Sequence, residues 1–256
     1  MKYEQVISFV KEAGNIARDK NLLSDYACKT DSDFVTAVDL NISEFLKKKL
    51  AAFTPDIGFM SEEEEAIIEP VRWILDPIDG TTNLLYDYHM SSISLGLCDH
   101  ERIVFGVVYN PFTDELFYAE RGKGAYYNGT RLSKAPDRDL KNSIVEFGAG
   151  VSRKDHIEEA FNIAKEVFAN CLDIRRVCSS ALVLCYIAAG KLNGYFERSL
   201  KPWDYAAASL ILEECGGISV TWDGDKIQFE RPSTYIAGTE KVVSYLLETV
   251  QKYRDS

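Results

Sequence analysis

The amino-acid sequence predicts an α/β fold of the α+β kind, with helices and sheets stacked in layers. Three observations predict it. Helical periodicity marks the N-terminal part, β-rich segments separated by turn residues follow, and strand and helix patterns then alternate to the end. The 256 residues suit one large domain, or two closely packed halves, with a substantial core. Pro136 and a cluster of charges mark a soft boundary over 135–142. The expected halves are therefore 1–140 and 141–256, working as one unit.

Within 8–20, Phe9, Val10, Ala13, Ile16 and Ala17 recur at helical spacing. Ile42, Phe45, Leu46, Leu50 and Phe53 mark a second helix, with its cap expected near Asp39 or Asn41. The short apolar runs 57–60 and 73–75 read as strands, and each leads directly into carboxylates. Residues 93–97, 103–109 and 116–119 are β-rich. Asn128-Gly129 and Asp223-Gly224 are hairpin signals. A helix is predicted over 155–168, a strand over 172–177, a helix over 179–189 and a short strand over 194–197. The helix 203–215 ends at Gly216-Gly217, and a last helix covers 241–253.

Composition narrows the function. Net charge is −11, without Lys/Arg blocks, which argues against nucleic acid or an anionic membrane as partner. A small anionic substrate is compatible if cations mediate the contact. The six cysteines, Cys28, Cys98, Cys171, Cys178, Cys185 and Cys215, form no C-x-x-C pair and read as free thiols of a reducing cytoplasm. The opening Met1-Lys2-Tyr3-Glu4-Gln5 lacks the apolar stretch of a secretory signal, and no apolar run is long enough to span a bilayer. A cytoplasmic protein is expected.

Chemistry concentrates in Asp76-Pro77-Ile78-Asp79-Gly80-Thr81-Thr82-Asn83. A strand is expected to end at Asp76, because Pro77 has no amide hydrogen. Gly80 permits a tight turn, and Thr81 or Thr82 can start a short helix. Amide groups at such a helix start favour phosphate, whereas the carboxylates repel it unless metal ions lie between. Taken alone, D-x-x-D-G also reads as a strand and an ordinary turn. Ser61-Glu62-Glu63-Glu64-Glu65 reads as a solvated charge run, or with Glu62 as a metal ligand at a strand end. Asp204, in Lys201-Pro202-Trp203-Asp204, reads as a helix cap or as another ligand, and Ala206, Ala207 and Ala208 let its helix pack closely. If Glu62, Asp76, Asp79 and Asp204 share one cleft, each pair about 4 Å apart repels by about 4 kcal/mol at an effective dielectric of about 20. An all-oxygen donor set selects Mg2+, or Mn2+, over Zn2+.

These blocks, with Asp33-Phe34-Val35-Thr36-Ala37-Val38-Asp39, Gly122-Lys123-Gly124-Ala125-Tyr126-Tyr127-Asn128-Gly129 and Glu214-Cys215-Gly216-Gly217, resemble the inositol monophosphatase family of Mg2+-dependent, lithium-sensitive sugar phosphatases. The resemblance runs over nearly the whole chain. It implies a layered αβαβα sandwich, with an antiparallel-rich sheet in the first half and a smaller mixed sheet in the second. It also implies a homodimer, two or three metal ions, and hydrolysis of inositol-1-phosphate or a related sugar phosphate. By matched position, Glu62, Asp76 and the Ile78 carbonyl look like ligands of one metal, and Asp76, Asp79 and Asp204 of a second. Glu62 also serves a third, weaker ion. Gly80 and Thr81 match phosphate-binding amides. Asp39 and Thr81 match a pair that orients the attacking water, with Glu62. Asp79, Cys178, Ser179, Ser180, Glu197 and Asp204 match positions at the substrate.

Two departures stand out: Cys178 replaces a usual Gly, and Val183 a frequent Asp or Asn near the substrate wall. Thr82-Asn83 after Asp-Gly-Thr favours the inositol-phosphate branch over 3′-phosphoadenosine 5′-phosphate. Fructose-1,6-bisphosphate and histidinol phosphate are further alternatives, and a non-catalytic metal- or phosphate-binding regulator a remote one. His89, His100 and His156 match no catalytic role.

Overall fold

Apolar patterning decides which helix occupies which layer. The computed structural model describes residues 3–24, 26–30, 33–64, 68–149 and 154–254. Helices α1 (Glu4–Ala17) and α2 (Ala37–Phe53) flank a small hairpin of β1 (Tyr26–Thr30) and β2 (Asp33–Thr36). Next come β3 (Gly58–Ser61), β4 (Val71–Asp79), the short α3 (Thr81–Leu85), β5 (Ser92–Asp99), β6 (Arg102–Asn110), β7 (Glu115–Glu120), β8 (Ala125–Tyr127) and β9 (Thr130–Arg131). The second half holds β10 (Ile144–Phe147), α4 (Ile157–Asn170), β11 (Asp173–Arg175), α5 (Ser180–Ala188), β12 (Gly194–Leu200), α6 (Pro202–Glu214), β13 (Ile218–Val220), β14 (Ser233–Gly238) and α7 (Glu240–Tyr253).

Strands β3 to β9 form one sheet in sequence order, parallel only at β3–β4. The second sheet has the order β11-β10-β12-β14-β13, with parallel and antiparallel pairs. Alternation along the strands feeds two cores. Trp73, Leu75, Phe105 and Val107 pack under α1 and α2, while Ile74, Val108 and Phe117 face α5 and α6. Those two helices lie between the sheets, meeting Tyr195, Tyr235 and Ala237 of the second. Its other face, with Val145, Phe196 and Ile236, is covered by α4 and α7. The layers are therefore helix, sheet, helix, sheet, helix. The amphipathic α1, α4 and α7 are outer helices, and α5, buried over Ala181 to Ala188, is apolar all round, as a middle layer requires.

A close backbone approach seats α6. Gly96 and Gly106 pair across β5 and β6, and a Cβ at Gly106 would stand 2.4 Å from the Ala207 carbonyl oxygen. The small residues read from the sequence do allow close packing, and glycines on the sheet supply the other half of it. This contact holds the start of α6, and with it Asp204, against the first sheet.

Several expected boundaries change. Helix α1 starts at Glu4 rather than at residue 8. Pro77 does not end its strand, since β4 continues to Asp79. Asn128 and Gly129, both at positive φ, turn β8 into β9 as expected. Asp223-Gly224 instead closes a turn next to a single Val220–Lys226 bridge. Among the described residues no helix is long and apolar enough to cross a membrane, and the six cysteines are free.

Candidate active site

Strand register brings the acidic residues together. Strands β3 and β4 place Ser61 beside Leu75, and the Glu62 amide donates to the Leu75 carbonyl (3.3 Å), so Glu62 leaves its strand next to Asp76. Along β4, Asp76 pairs with Ser94 and Asp79 with Ser92. Three steps along β4 thus match two along β5, which is a bulge. Ser92 and Ser94, two apart, share one side of the sheet, so Asp76 and Asp79 do too. In a regular strand, residues three apart face opposite sides. Pro77 is tolerated because a bulge leaves a position without a ladder bond.

Gly80 follows at φ 94°, a left-handed conformation suited to glycine. A Cβ there would lie 3.0 Å from the carbonyl oxygens of Met90 and Cys178. The chain then enters α3. The Thr81 hydroxyl donates to the Ile78 carbonyl (3.1 Å) and lies 3.4 Å from Asp39 Oδ1. Asp39 is buried, and its Oδ2 accepts the Thr36 amide (2.8 Å) and hydroxyl (2.5 Å). Thr36 Oγ1 in turn accepts the Val38 amide (3.1 Å). The cap of α2 is therefore Thr36, not Asp39 or Asn41, and Asp39 closes its capping box from the third helical position.

Two carboxylates are held at helix starts. Asp79 Oδ2 accepts the Ser179 hydroxyl (2.6 Å) and the Ala181 amide (2.7 Å), and Oδ1 the Ser180 amide (3.2 Å). Asp79 thus caps α5 from across the chain. Asp204 sits in the first turn of α6 with Oδ2 accepting the Lys201 amide (2.7 Å), so the capping reading holds for that oxygen. Ser180 Oγ meets the Tyr195 hydroxyl at 3.0 Å. Ser179 and Ser180 therefore stand behind Asp79 rather than on the cavity wall. Glu62, Asp76, Ile78, Asp79, Gly80, Thr81, Cys178, Glu197 and Asp204 line one cavity of about 530 Å3.

The electrostatics of this cluster is unfavourable by itself. Burial, and then the carboxylates of Glu62, Asp79, Asp204 and Asp39, push Asp76 well above the usual carboxylate range. Burial, then Asp79, raises Asp204 in the same way. Burial raises Asp79 to about 6 against its hydrogen bonds from Ser179, Ala181 and Ser180, and raises Asp39 to about 6 against those from Thr36. Asp76 Oδ1 is buried with no hydrogen-bond partner. Such an oxygen is costly unless a cation or donor meets it. Among the described residues no three His, Cys, Asp or Glu side chains are arranged to hold a metal ion as they stand; Asp79 turns both oxygens, and Asp204 and Asp39 one each, toward backbone donors. The oxygen-only donors and the unpartnered Asp76 oxygen suit a hard divalent cation.

The inositol monophosphatase family model matches residues 3–255. The chain belongs to this family. It is 35% identical over 227 residues to an inositol-1-monophosphatase of Mesorhizobium japonicum, covering 88% of this chain and 85% of that one. It is equally 35% identical over 226 residues to the Escherichia coli K12 protein named Nus factor SuhB, covering 87% and 84%. Among solved structures it resembles an IMPase/NADP phosphatase complexed with Mg2+ and phosphate, at 25% identity and a TM-score of 0.85, over 96% of this chain and 93% of that one.

Within this inositol monophosphatase family chain, other placements were not legible in the sequence. Val183 is buried among the residues between the sheets, so no polar group is lost from the cavity wall there. Cys178 lines the cavity at φ 60°, and burial raises its thiol above the ordinary value. Asn83 Nδ2 donates to the carbonyls of Met90 and Val177, both at 2.8 Å, tying α3 to the loop before α5. Its only sequence signal was membership of the motif. Glu197 lies over Gly148, where a Cβ would come within 1.4 Å of Glu197 Oε2. Phe34, Ile157, Phe161, Arg176 and Lys201 also line the cavity. His89, His100 and His156 pair with Asp87, Asp99 and Asp155 instead. Glu65, in the acidic run, lies outside the described residues.

Proposed function

We propose that this protein hydrolyses a small phosphate monoester, inositol-1-phosphate or a related sugar phosphate, and releases inorganic phosphate with Mg2+ as cofactor. The observation that carries this reading is the gathering of Glu62, Asp76, Asp79 and Asp204 on one cavity beside Gly80 and Thr81, with one Asp76 oxygen unpartnered. The M. japonicum relative's name and the Mg2+ and phosphate of the solved neighbour support it.

Glu62, Asp76 and the Ile78 carbonyl would hold one ion, and Asp76, Asp79 and Asp204 another. Glu62 would contribute to a third, and Mn2+ could replace Mg2+. Bound Mg2+ neutralises the carboxylates and stabilises charge on the phosphoryl and ester oxygens. The chain's own groups position the reactants. Amides at Gly80 and Thr81 hold phosphate oxygens. The Thr81 hydroxyl turns its hydrogen from the Ile78 carbonyl to Asp39 Oδ1 and accepts a hydrogen of the attacking water, whose other hydrogen faces Glu62. The water oxygen bonds to phosphorus as the P–O ester bond breaks; one of the water's protons ends on the leaving alcohol oxygen and the other stays on the released hydrogen phosphate. Glu197 accepts hydrogen bonds from substrate hydroxyl groups, with Cys178 beside it.

In this reading halves 1–140 and 141–256 act as one unit, in a cytoplasmic homodimer. Free phosphate is to be measured with inositol-1-phosphate, fructose-1,6-bisphosphate, histidinol phosphate and 3′-phosphoadenosine 5′-phosphate, under Mg2+, chelator and added lithium. Release from inositol-1-phosphate that requires Mg2+ and falls with lithium is expected. Undiminished release in chelator would exclude the proposed metal role.

A further inference from the structure

Glu146 carries a buried carboxyl group, 1% exposed, that the reaction leaves unused. It stands on β10, between β11 and β12, opposite Arg175 on one side and Tyr195 on the other. Partners in register project to the same side of a sheet, so Glu146 faces the middle helical layer, as Tyr195 does. There its Oε1 accepts the Val177 amide, and the Cys178 amide bonds to the same carboxyl group. The neighbouring Tyr195 hydroxyl meets Ser180 Oγ at 3.0 Å. Two adjacent side chains of the second sheet thus hold the segment 177–180 from behind.

The front of that segment meets the phosphate-binding turn of the first half. Asn83 Nδ2 donates to the carbonyls of Val177 (2.8 Å) and Cys178 (3.5 Å). The Cys178 carbonyl oxygen lies 3.0 Å from the place of a Cβ on Gly80. Cys178 itself sits at φ 60°, a left-handed conformation that a residue with a side chain keeps only where its surroundings enforce it. Amides met by Glu146 and carbonyls met by Asn83 supply that constraint. The group that does so is costly: Oε2 has no partner, and burial favours the protonated acid. Local rules are broken in this way chiefly where a functional site needs the geometry.

We propose that Glu146 is a positioning residue of the phosphatase site. By fixing residues 177 and 178 it sets, through Asn83 and Gly80, the turn whose amides hold the phosphate against the substrate wall of the second half. This rests on the phosphatase reading and deepens it. Asp76 and Asp204 are seated by β4 and α6 rather than by this loop, so Mg2+ binding is the control.

The test measures kcat and KM for inositol-1-phosphate, with Mg2+ titration calorimetry and a thermal melt, on wild type and variants. Glu146→Ala removes the acceptor and should lower kcat/KM about a hundredfold, the size of a displacement of about 1 Å at a reacting group, most of it in kcat. Its Mg2+ Kd should stay that of the wild type. Glu146→Gln keeps Oε1 as an acceptor and should recover most of the loss. Glu146→Asp draws the acceptor back by one methylene and should lose kcat severalfold, which keeps the proposal testable if the alanine variant does not fold. Asn83→Ala breaks the next link, and the double variant with Glu146→Ala should lose no more than the worse single one. The proposal is overturned if folded Glu146→Ala or Glu146→Asp turns over as the wild type does, if Glu146→Gln loses as much as Glu146→Ala, if the Glu146 and Asn83 losses multiply, or if Mg2+ binding weakens as much as kcat/KM. Each of these, with normal release by the wild type, removes only the assignment of Glu146. No release by the wild type from any ester removes the phosphatase reading and this inference with it.

Discussion

Substituting alanine for Gly106 tests how the fold delivers Asp204. The new Cβ would stand 2.4 Å from the Ala207 carbonyl oxygen and 3.0 Å from two further Ala207 backbone atoms. Ordinary van der Waals contact begins near 3.4 Å, so α6 must retreat by about 1 Å, and no flexible side chain can yield in its place. Overpacking of this kind costs about 1–3 kcal/mol, which for a chain of this size lowers Tm by roughly 2–12 °C. Asp204 lies three residues before Ala207 on the same helix. A shift of about 1 Å at a catalytic constellation costs on the order of a hundredfold in rate. Gly96→Ala is the internal control, because its Cβ would stand 3.2 Å from the nearest Ala207 atom. Thermal melts and phosphate release should rank wild type first, Gly96→Ala second and Gly106→Ala last. A Gly106→Ala protein that melts and turns over like the wild type would refute the claim that this contact positions Asp204.

Glu146 is buried, with Oε1 accepting the Val177 amide and Oε2 unpartnered, and burial raises it to about 7. The folded state thus favours its protonated form. The unfolded chain releases that proton near pH 4.5, so this group makes stability fall as pH rises from about 4.5 to 7, by on the order of 3 kcal/mol. Urea midpoints at pH 5 and 8 should show Glu146→Gln more stable than the wild type at pH 8 and less pH-dependent; an unchanged slope would count against this. Thr36→Ala removes the cap of α2 and the anchor of Asp39, and should cost about 1 kcal/mol together with a lower kcat, read by urea unfolding and phosphate release. Gly148→Ala would drive a Cβ into Glu197 and should raise KM for inositol-1-phosphate severalfold while leaving kcat within about twofold. An equal fall in kcat would show that Glu197 acts beyond binding.

The layer plan was legible because periodicity reports burial. The amphipathic α1, α4 and α7 and the apolar α5 each took the layer their pattern suits. Strands β10, β13 and β14 have only three to six residues and carry no clear alternation, so long-range pairing defines them. The acidic motif was legible as chemistry, but its geometry was not. Pro77 read as a strand end, whereas the β4–β5 register absorbs it in a bulge that turns Asp76 and Asp79 to one side. Ser179 and Ser180 were placed at the substrate by resemblance, and folding commits them to Asp79 and Tyr195. That Ile157 and Phe161 line the cavity could not be read, because a second apolar stripe on α4 acquires meaning only when the cavity lies beside it.

Asp76→Asn tests the central claim most directly, through Mg2+ titration calorimetry and phosphate release on the purified variant beside the wild type. It removes one charge from a buried cluster whose members raise one another's pKa values, so without metal the variant should melt at or above the wild-type temperature, as relieved active-site strain commonly does. It should also lose Mg2+ binding and nearly all phosphate release. A variant that binds Mg2+ and turns over as the wild type does would contradict the assignment of Asp76 as the residue on which the site is built.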